Sequence, residues 1–355
     1  MVSGSSLRLR SKEADILRRS NRMSRSRPLF SLVISAVLVL FAFAAYSLWA
    51  PGREITDGRH DLGRNGIWIQ HGWLGDDGWF ARNRKVDRKA NFRDPERIRE
   101  LAVLLRRHGI TDVFPHLCPT SVDGTIPPVD ARQAGRFLGA FDGFRVLPWV
   151  GGVAGHQAFP EDPAWRRNFA RSVRSLLTAH PGFAGVHINI EPCPSGNAAY
   201  LSLLEEVRAE MPAGKILSVA AYPPPTLWHP FSSVHWERGY FGQVSKRTDQ
   251  VVVMMYDTAV RFEKVFRWLM ARWSREVVEW SGNAEVLLGL PAYRDEGVGY
   301  HDPRVENLGN ALMGIHAGLG RHEKLPGNYR GIALYCEWEM DEGKWAVMRD
   351  RFLRR

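Results

Sequence analysis

From residue 66 onward the chain repeats one unit eight times: a short apolar run, a turn rich in Gly, Pro or His, then a helical pattern. The runs are GIWIQHGW (66–73), ITDVFPHL (110–117), RVLPWVGG (145–152), GVHINIEP (185–192), ILSVAAYP (216–223), QVVVMMYD (250–257), EVLLGLPAY (285–293) and GIALYCEW (331–338). Continuous apolar cores of this length, alternating with helices, mark parallel strands buried on both faces. Helix starts are signalled at Asp94-Pro95 and Asp162-Pro163, where Asp caps free amides and Pro costs nothing in the first turn. Further helical patterns cover about 198–211, 260–280, 304–317 and 341–353. Eight such units close more naturally as a barrel than as an open sheet, so residues 65–355 are expected to form an α/β fold, a (β/α)8 TIM barrel. No GxGxxG follows the first strand and no GxxxxGK[ST] occurs, so neither a dinucleotide nor a phosphate-loop nucleotide cofactor is expected.

The N-terminus is of a different kind. Residues 29–50, LFSLVISAVLVLFAFAAYSLWA, carry no charge over 22 residues, long enough to cross a hydrocarbon core of about 30 Å as a helix. Residues 1–28 hold eight Lys and Arg against Glu13 and Asp15, with no apolar periodicity, which predicts a basic, disordered cytoplasmic tail. The chain is therefore read as a single-pass cell-membrane protein with a signal anchor at 29–50, a linker at 51–64 and the barrel on the extracytoplasmic side. A cleaved signal peptide is the competing reading, but its apolar region is usually 7–15 residues and ends on small residues, whereas Leu48 precedes Ala50 by two.

Charge adds little to this. The net +10 falls to +4 once the tail is set aside, so the basic excess sits where anionic lipid is the nearer partner and no nucleic-acid binding is expected. Three cysteines, Cys118, Cys193 and Cys336, form no scaffold pattern and no zinc spacing; the readings are solitary thiols or one Cys118–Cys193 bridge, and no metal is expected.

In a barrel the functional face lies at the C-terminal ends of the strands, and here those ends are polar and aromatic. They present Gln70, His71 and Trp73; His116; Trp149; His187, Asn189 and Glu191; Tyr222; Tyr256 and Asp257; Tyr293; and Tyr335, Glu337, Trp338 and Glu339. His187, Asn189 and Glu191 alternate with aliphatic residues, so the two-residue period sends all three into the lumen, where burial should raise the Glu191 carboxyl toward a proton donor's range. The excursion at 222–243 holds Trp228, Phe231, Trp236, Tyr240 and Phe241. With Trp73, Tyr293 and Tyr300 it is read either as the wall of a sugar groove or as a satellite core beneath a long loop.

Gly185-x-His187-x-Asn189-x-Glu191 resembles the fourth-strand GxDxDxE of family-18 glycoside hydrolases, the chitinase-like TIM barrels, in degenerate form. Met254-Met255-Tyr256-Asp257 matches their sixth-strand MxYD, and Gly331 to Tyr335 resembles their GxxxW with Tyr in place of Trp. The resemblance implies that Glu191 protonates the glycosidic oxygen, Asn189 stands where an aspartate orients the substrate's 2-acetamido nucleophile, and His187 supports it from beneath. It also implies that Tyr256 and Asp257 hold the sugar and that Tyr335 floors it. The expected partner is an N-acetylhexosamine-containing polysaccharide or a peptidoglycan-type glycan.

Asn189 departs from the family pattern because it cannot carry charge. Losing one carboxylate's stabilisation, about 3 kcal/mol, slows turnover by about two orders of magnitude. Three readings therefore stay open: a slow hydrolase assisted by its substrate, a glycosidase pairing Glu191 with Glu337 or Glu339, and a non-catalytic glycan-binding barrel. Gln70, His71, Trp73, His116, Tyr222, Trp228, Tyr293, Tyr335 and Trp338 are the remaining substrate-binding candidates.

Overall fold

A computed structural model of the protein describes residues 31–32, 34–294 and 299–354, and the chain divides into two compact units, Met1–Ala50 and Pro51–Arg355. Residues 1–28, together with Leu29, Phe30 and Val33 of the predicted span, lie outside the described residues. In the first unit residues 34–48 are helical, with Leu38, Val39, Leu40, Phe41 and Phe43 exposed. Among the described residues no helix is long and apolar enough to cross a membrane.

The second unit is a curled parallel sheet wrapped by helices. Its strands are β1 (Asn65–Ile69), β2 (Ile110–Pro115), β3 (Arg145–Val146, resumed at Trp149–Val153), β4 (Gly185–Glu191), β5 (Ile216–Ala221), β6 (Gln250–Met254), β7 (Glu285–Pro291) and β8 (Tyr329–Tyr335). Each pairs in parallel with its successor, and β8 pairs back to β1 through Ala333 with Gly66 and Leu334 with Ile67, so the sheet forms the expected barrel. Leu147-Pro148 divides β3, because Pro148 has no N–H to give the ladder.

Outside lie α1 (Pro95–Arg107), α2 (Ala131–Ala140), α3 (Pro163–Ala179), α4 (Ala198–Glu210), α5 (Arg238–Ser245), α6 (Glu263–Trp280), α7 (Leu308–Leu319) and α8 (Glu342–Arg351). Asp94, Asp130, Asp162, Asn197, Asn307 and Asp341 each cap one through a side-chain oxygen, which is why these helices begin where they do. α2 and α5 had no start signal in the sequence reading; α5 lies at the end of the aromatic excursion.

Trp68, Phe114, Leu147, Trp149, Val252 and Leu287 fill the lumen. Below them runs a buried polar chain in which every donor points toward one carboxylate. Trp68 Nε1 donates to His187 Nε2 (3.2 Å), and His187 Nδ1 lies 2.8 Å from Ser218 Oγ. Ser218 then donates to Gln250 Oε1 (2.7 Å), and Gln250 to Asp112 (2.6 Å). Arg145 closes the chain, bidentate to Asp112 at 2.7 and 2.6 Å and reaching Glu285 at 2.8 Å. A fully satisfied network of this kind offsets the desolvation of Asp112, which is wholly buried.

Residues 51–64, read as a linker, are fastened to the barrel. Tyr329 donates to the His60 carbonyl (2.8 Å), His60 and His316 share a 2.8 Å hydrogen bond, and Asp61 accepts from Asn65 and from the Arg354 amide, both at 3.0 Å. Turn residues without a period can cover a barrel floor as well as cross solvent, so composition alone does not separate the two. All three cysteines are buried free thiols, with no Cys118–Cys193 bridge.

Candidate active site

The end of β4 carries a carboxyl that faces a cavity of the barrel mouth. Strand alternation turns His187, Asn189 and Glu191 inward, as the two-residue period requires. Asn189 Nδ2 donates to Glu191 Oε1 at 2.7 Å and the Tyr222 hydroxyl donates to Oε2 at 3.3 Å. Burial raises the Glu191 pKa, and these two neutral donors only partly oppose it. The Asn189 Oδ1 atom is buried without a hydrogen-bond partner, an acceptor held ready beside the acid. Gly151 permits this close strand approach: at its φ of +123° a Cβ would sit 2.1 Å from the Asn189 carbonyl oxygen. His187 lies deeper and wholly buried, its pKa pushed down to about 3, so it supports the column as a neutral imidazole bonded to Trp68 and Ser218 rather than to Asn189.

A second cluster forms at the ends of β6 and β7. The Tyr293 hydroxyl donates to Asp257 Oδ1, and Asp257 holds a left-handed backbone at φ +58°. Burial, against the Tyr293 hydrogen bond, raises the Asp257 carboxyl to about 6, and the charges of Glu306 and Glu191 push the same way. His301 Nδ1 stands 3.6 Å from both Asp257 Oδ1 and Glu306 Oε2, in ion-pair rather than hydrogen-bond range, and its ring stacks on Tyr293 with centroids 4.1 Å apart. Burial pulls the imidazole pKa down, but the two carboxylates outweigh it and hold His301 above its ordinary value. Glu306 is fully buried and accepts from Thr258 through both N–H (3.1 Å) and hydroxyl (2.9 Å). Tyr256 stacks on Tyr335 at 5.1 Å, and Tyr293 meets both edge-on.

Opposite, Trp79, His71, His116 and Trp149 stack in a row at centroid spacings of 4.1, 3.8 and 3.8 Å. His71 is fixed by Asp76 at 2.5 Å, and burial lowers both imidazoles, His116 well below the usual value, so this wall is neutral. The row, with Asn189, Glu191 and Gln157, lines a cavity of about 280 Å³. A larger concavity of about 1290 Å³ opens at the other end of the strands among Arg145, Lys215 and Lys246; it is lined by strand starts such as Ile216 and Glu285 and by none of the residues at the strands' C-terminal ends.

The remaining candidates do not all converge. Glu337 bonds Gln70 and lines a separate recess with Arg97 and Trp73; burial raises its carboxyl to about 7, but it does not share the Glu191 cavity. Glu339 is exposed in the turn after β8. Trp73 packs edge-on against Phe92 (4.9 Å) beneath the β1 loop. Trp338 stands half-exposed beside Tyr335 (5.8 Å). The aromatic excursion divides: Trp236, Tyr240 and Phe241 are a satellite core, while Trp228 and Phe231 are exposed and line none of the cavities around Glu191. Asp76, Trp79, His301 and Glu306 adjoin these groups without any signal in the sequence, because Asp76, His301 and Glu306 lie in loops and Trp79 in a six-residue helix (Asp77–Arg82), all too short or irregular for a period to fix direction. Among the described residues no three His, Cys, Asp or Glu side chains are gathered as metal ligands.

The model of the glycosyl hydrolases family 18 matches residues 136–302, which include Asn189, Glu191, Tyr256, Asp257 and His301. No curated protein matches the sequence. The fold is similar to the spore cortex-lytic enzyme SleL of Bacillus cereus (TM-score 0.51, 12% identity, 81% of this chain and 74% of that one). It is also similar to a chitinase from Bacteroides thetaiotaomicron (0.50, 12%, 81% and 97%) and one from Chromobacterium violaceum (0.50, 14%, 71% and 94%). At these identities the structures show a shared fold. The family match, together with the strand motifs, supports glycoside hydrolysis as the activity class.

Proposed function

We propose that this chain, similar to family-18 glycosyl hydrolases in motif, family match and fold, hydrolyses an N-acetylhexosamine-containing extracytoplasmic glycan with Glu191 as its general acid. The observation that carries this reading is the raised, buried Glu191 carboxyl facing the cavity, bonded only by the neutral Asn189 and Tyr222. An acid so placed delivers its proton to the leaving glycosidic oxygen. As the C1–O bond breaks, the substrate's 2-acetamido carbonyl oxygen bonds to the anomeric carbon, its N–H accepted by the partnerless Asn189 Oδ1 while Asp257 offsets the developing positive charge; water then attacks that carbon, opening the oxazolinium and giving a proton back to Glu191. The fold's likeness to proteins named as chitinases and as a spore cortex-lytic enzyme points to chitin-type or peptidoglycan-type strands as the substrates to try first.

The test is turnover and affinity measured together on N-acetylated oligosaccharides. Glu191→Gln should lose at least about a hundredfold in turnover with binding retained, whereas Glu337→Gln, in its separate recess, should stay near wild type. Wild-type-like turnover in E191Q would refute the assignment. The second reading, a non-catalytic glycan-binding barrel, is favoured by one observation, the uncharged Asn189 beside the acid. It predicts binding without turnover in the wild type, unchanged in E191Q.

The barrel's tether is a separate proposal. Residues 29–50 anchor the chain in the cell membrane, with 1–28 cytoplasmic and the barrel outside. Support comes from the uncharged 22-residue stretch and from the exposed apolar side chains of the helix at 34–48. A mature N-terminus between about residues 45 and 60, sequenced from protein taken from cells, would overturn it.

A further inference from the structure

Next to the Glu191 cavity lies a recess of about 320 Å³ that shares His71, Trp79 and His116 with it, so a chain lying in one continues into the other. Its own lining adds Gln70, Lys85, Arg88 and Trp338, and includes no carboxylate. The two cations stand apart from their neighbours in sequence. Lys89 and Arg93 are both neutralised by Asp77, at 2.7 and 2.6 Å, whereas among the described residues neither Lys85 nor Arg88 has an ion pair. Lys85 instead places its ammonium 5.2 Å from the centre of the Trp79 ring. The imidazoles of the shared wall are neutral and Asp76 is hydrogen-bonded to His71, so no free carboxylate lines this recess; the nearest, Glu100 and Glu337, lie in an adjoining recess that Arg88 also borders, and among the described residues neither is ion-paired to Lys85 or Arg88.

A neutral sugar needs aromatic faces and hydroxyl partners, which Trp79, Trp338 and Gln70 supply. It does not need two cations without an ion pair at its edge, one of them over an aromatic face. Cations beside an aromatic floor suit a ring that stacks while its pendant anion forms charge-assisted hydrogen bonds, stronger here than in water because aromatic walls exclude part of the solvent. We propose that the recess lined by Lys85, Arg88, Trp79 and Trp338 is a subsite for a carboxylate-bearing sugar, contiguous with the sugar bound at Glu191. This rests on the reading of the Glu191 cavity as a glycan site and narrows its substrate to acidic glycans. The carboxylate is either the C6 group of a uronate or a lactyl ether on an amino sugar; both present the same planar anion.

The experiment uses the full chain as E191Q, so that ligand is bound and not consumed. Two oligosaccharides are titrated, one alternating N-acetylhexosamine with a lactyl-ether amino sugar and one alternating it with a uronate, each beside its carboxyl-reduced form. At least one intact form should bind about tenfold more tightly than its reduced form, with a preference that weakens as salt rises. Which of the two shows it identifies the source of the carboxylate. The added K85A/R88A pair should abolish that preference, and a neutral N-acetylhexosamine oligosaccharide measured alongside reports whether the recess is otherwise disturbed. Equal affinity for intact and reduced forms in both series, or a preference that survives K85A/R88A, overturns the subsite while leaving the glycan site standing. Absence of binding to every glycan, the neutral one included, overturns both.

Discussion

Glu191, at the end of β4, and Asp257, after β6, are two carboxyls raised chiefly by burial, and they keep different company. Glu191 is surrounded by neutral donors, Asn189 and Tyr222, so its proton affinity is raised by burial and only partly lowered by their hydrogen bonds, with no charged partner. Asp257 belongs to an ionic relay in which His301 stands 3.6 Å from it and 3.6 Å from the buried Glu306. A carboxyl raised by burial holds its proton more tightly than a free one and is suited to giving it to a leaving oxygen. One tuned by a neighbouring imidazole ionises within the working pH range and can answer a developing positive charge. The difference sets a burial-raised carboxyl on β4 against an ion-paired one on the β6–β7 side, and the amide of Asn189 gives Glu191 no ionisable neighbour to couple it to a second proton.

The strongest way to break this contrast is to add such a neighbour. Asn189→Asp places a second ionisable carboxyl 2.7 Å from Glu191, where two negative charges resist forming together, and supplies the charge an amide lacks. Turnover on an acetamido substrate should rise by about a hundredfold; a rate unchanged or lowered in a folded N189D protein would show that Asn189 does not limit the chemistry. A smaller effect is expected at the relay. His301→Gln removes the imidazolium between Asp257 and Glu306, so Asp257 becomes harder to ionise and the acidic limb of the pH–rate profile moves toward neutrality. Turnover at pH 6 should fall about three- to tenfold while that at pH 8 changes less; a uniform loss across pH would assign His301 to packing alone.

The smallest effect is on stability. Burial raises the Asp257 carboxyl to about 6 in the folded chain, above the ordinary aspartate value of 3.8. The folded state therefore binds the proton more tightly, and its contribution to stability is full below about pH 4 and is lost as pH rises to about 6. Asp257→Asn cannot ionise, so its melting temperature should decline less over that window than the wild type's, by a few degrees at most because the side chain is 38% exposed. Parallel melting curves for the two proteins between pH 4 and pH 6 would remove the linkage.

Much of this was legible in the chain itself. All eight strands, the helices with Asp-Pro starts, and the inward direction of His187, Asn189 and Glu191 follow from period and capping, which are local properties. The sixth-strand Tyr256 and Asp257 came from a motif falling on the right strand. Glu337 shows the limit of the same reasoning: it shares strand-end parity with Tyr335, yet the turn at Glu337–Glu339 breaks the period, and the carboxyl faces Gln70 in another recess. In the excursion at 222–243 aromatic content alone could not separate a sugar groove from a core, and folding buried Trp236, Tyr240 and Phe241 while leaving Trp228 and Phe231 exposed.

The sequence by itself determined the barrel, its order and the inward direction of His187, Asn189 and Glu191, because repeat, alternation and capping act between residues close along the chain. Only the tertiary structure decided that Asp112 and Arg145 anchor a polar chain ending at His187, that His301 and Glu306 stand behind Asp257, and that Lys85 and Arg88 line a recess beside the Glu191 cavity. Those partners come from loops and strands far apart in sequence. Their directions are set by closure of the sheet and by which charges find a counterion, and no periodicity records either.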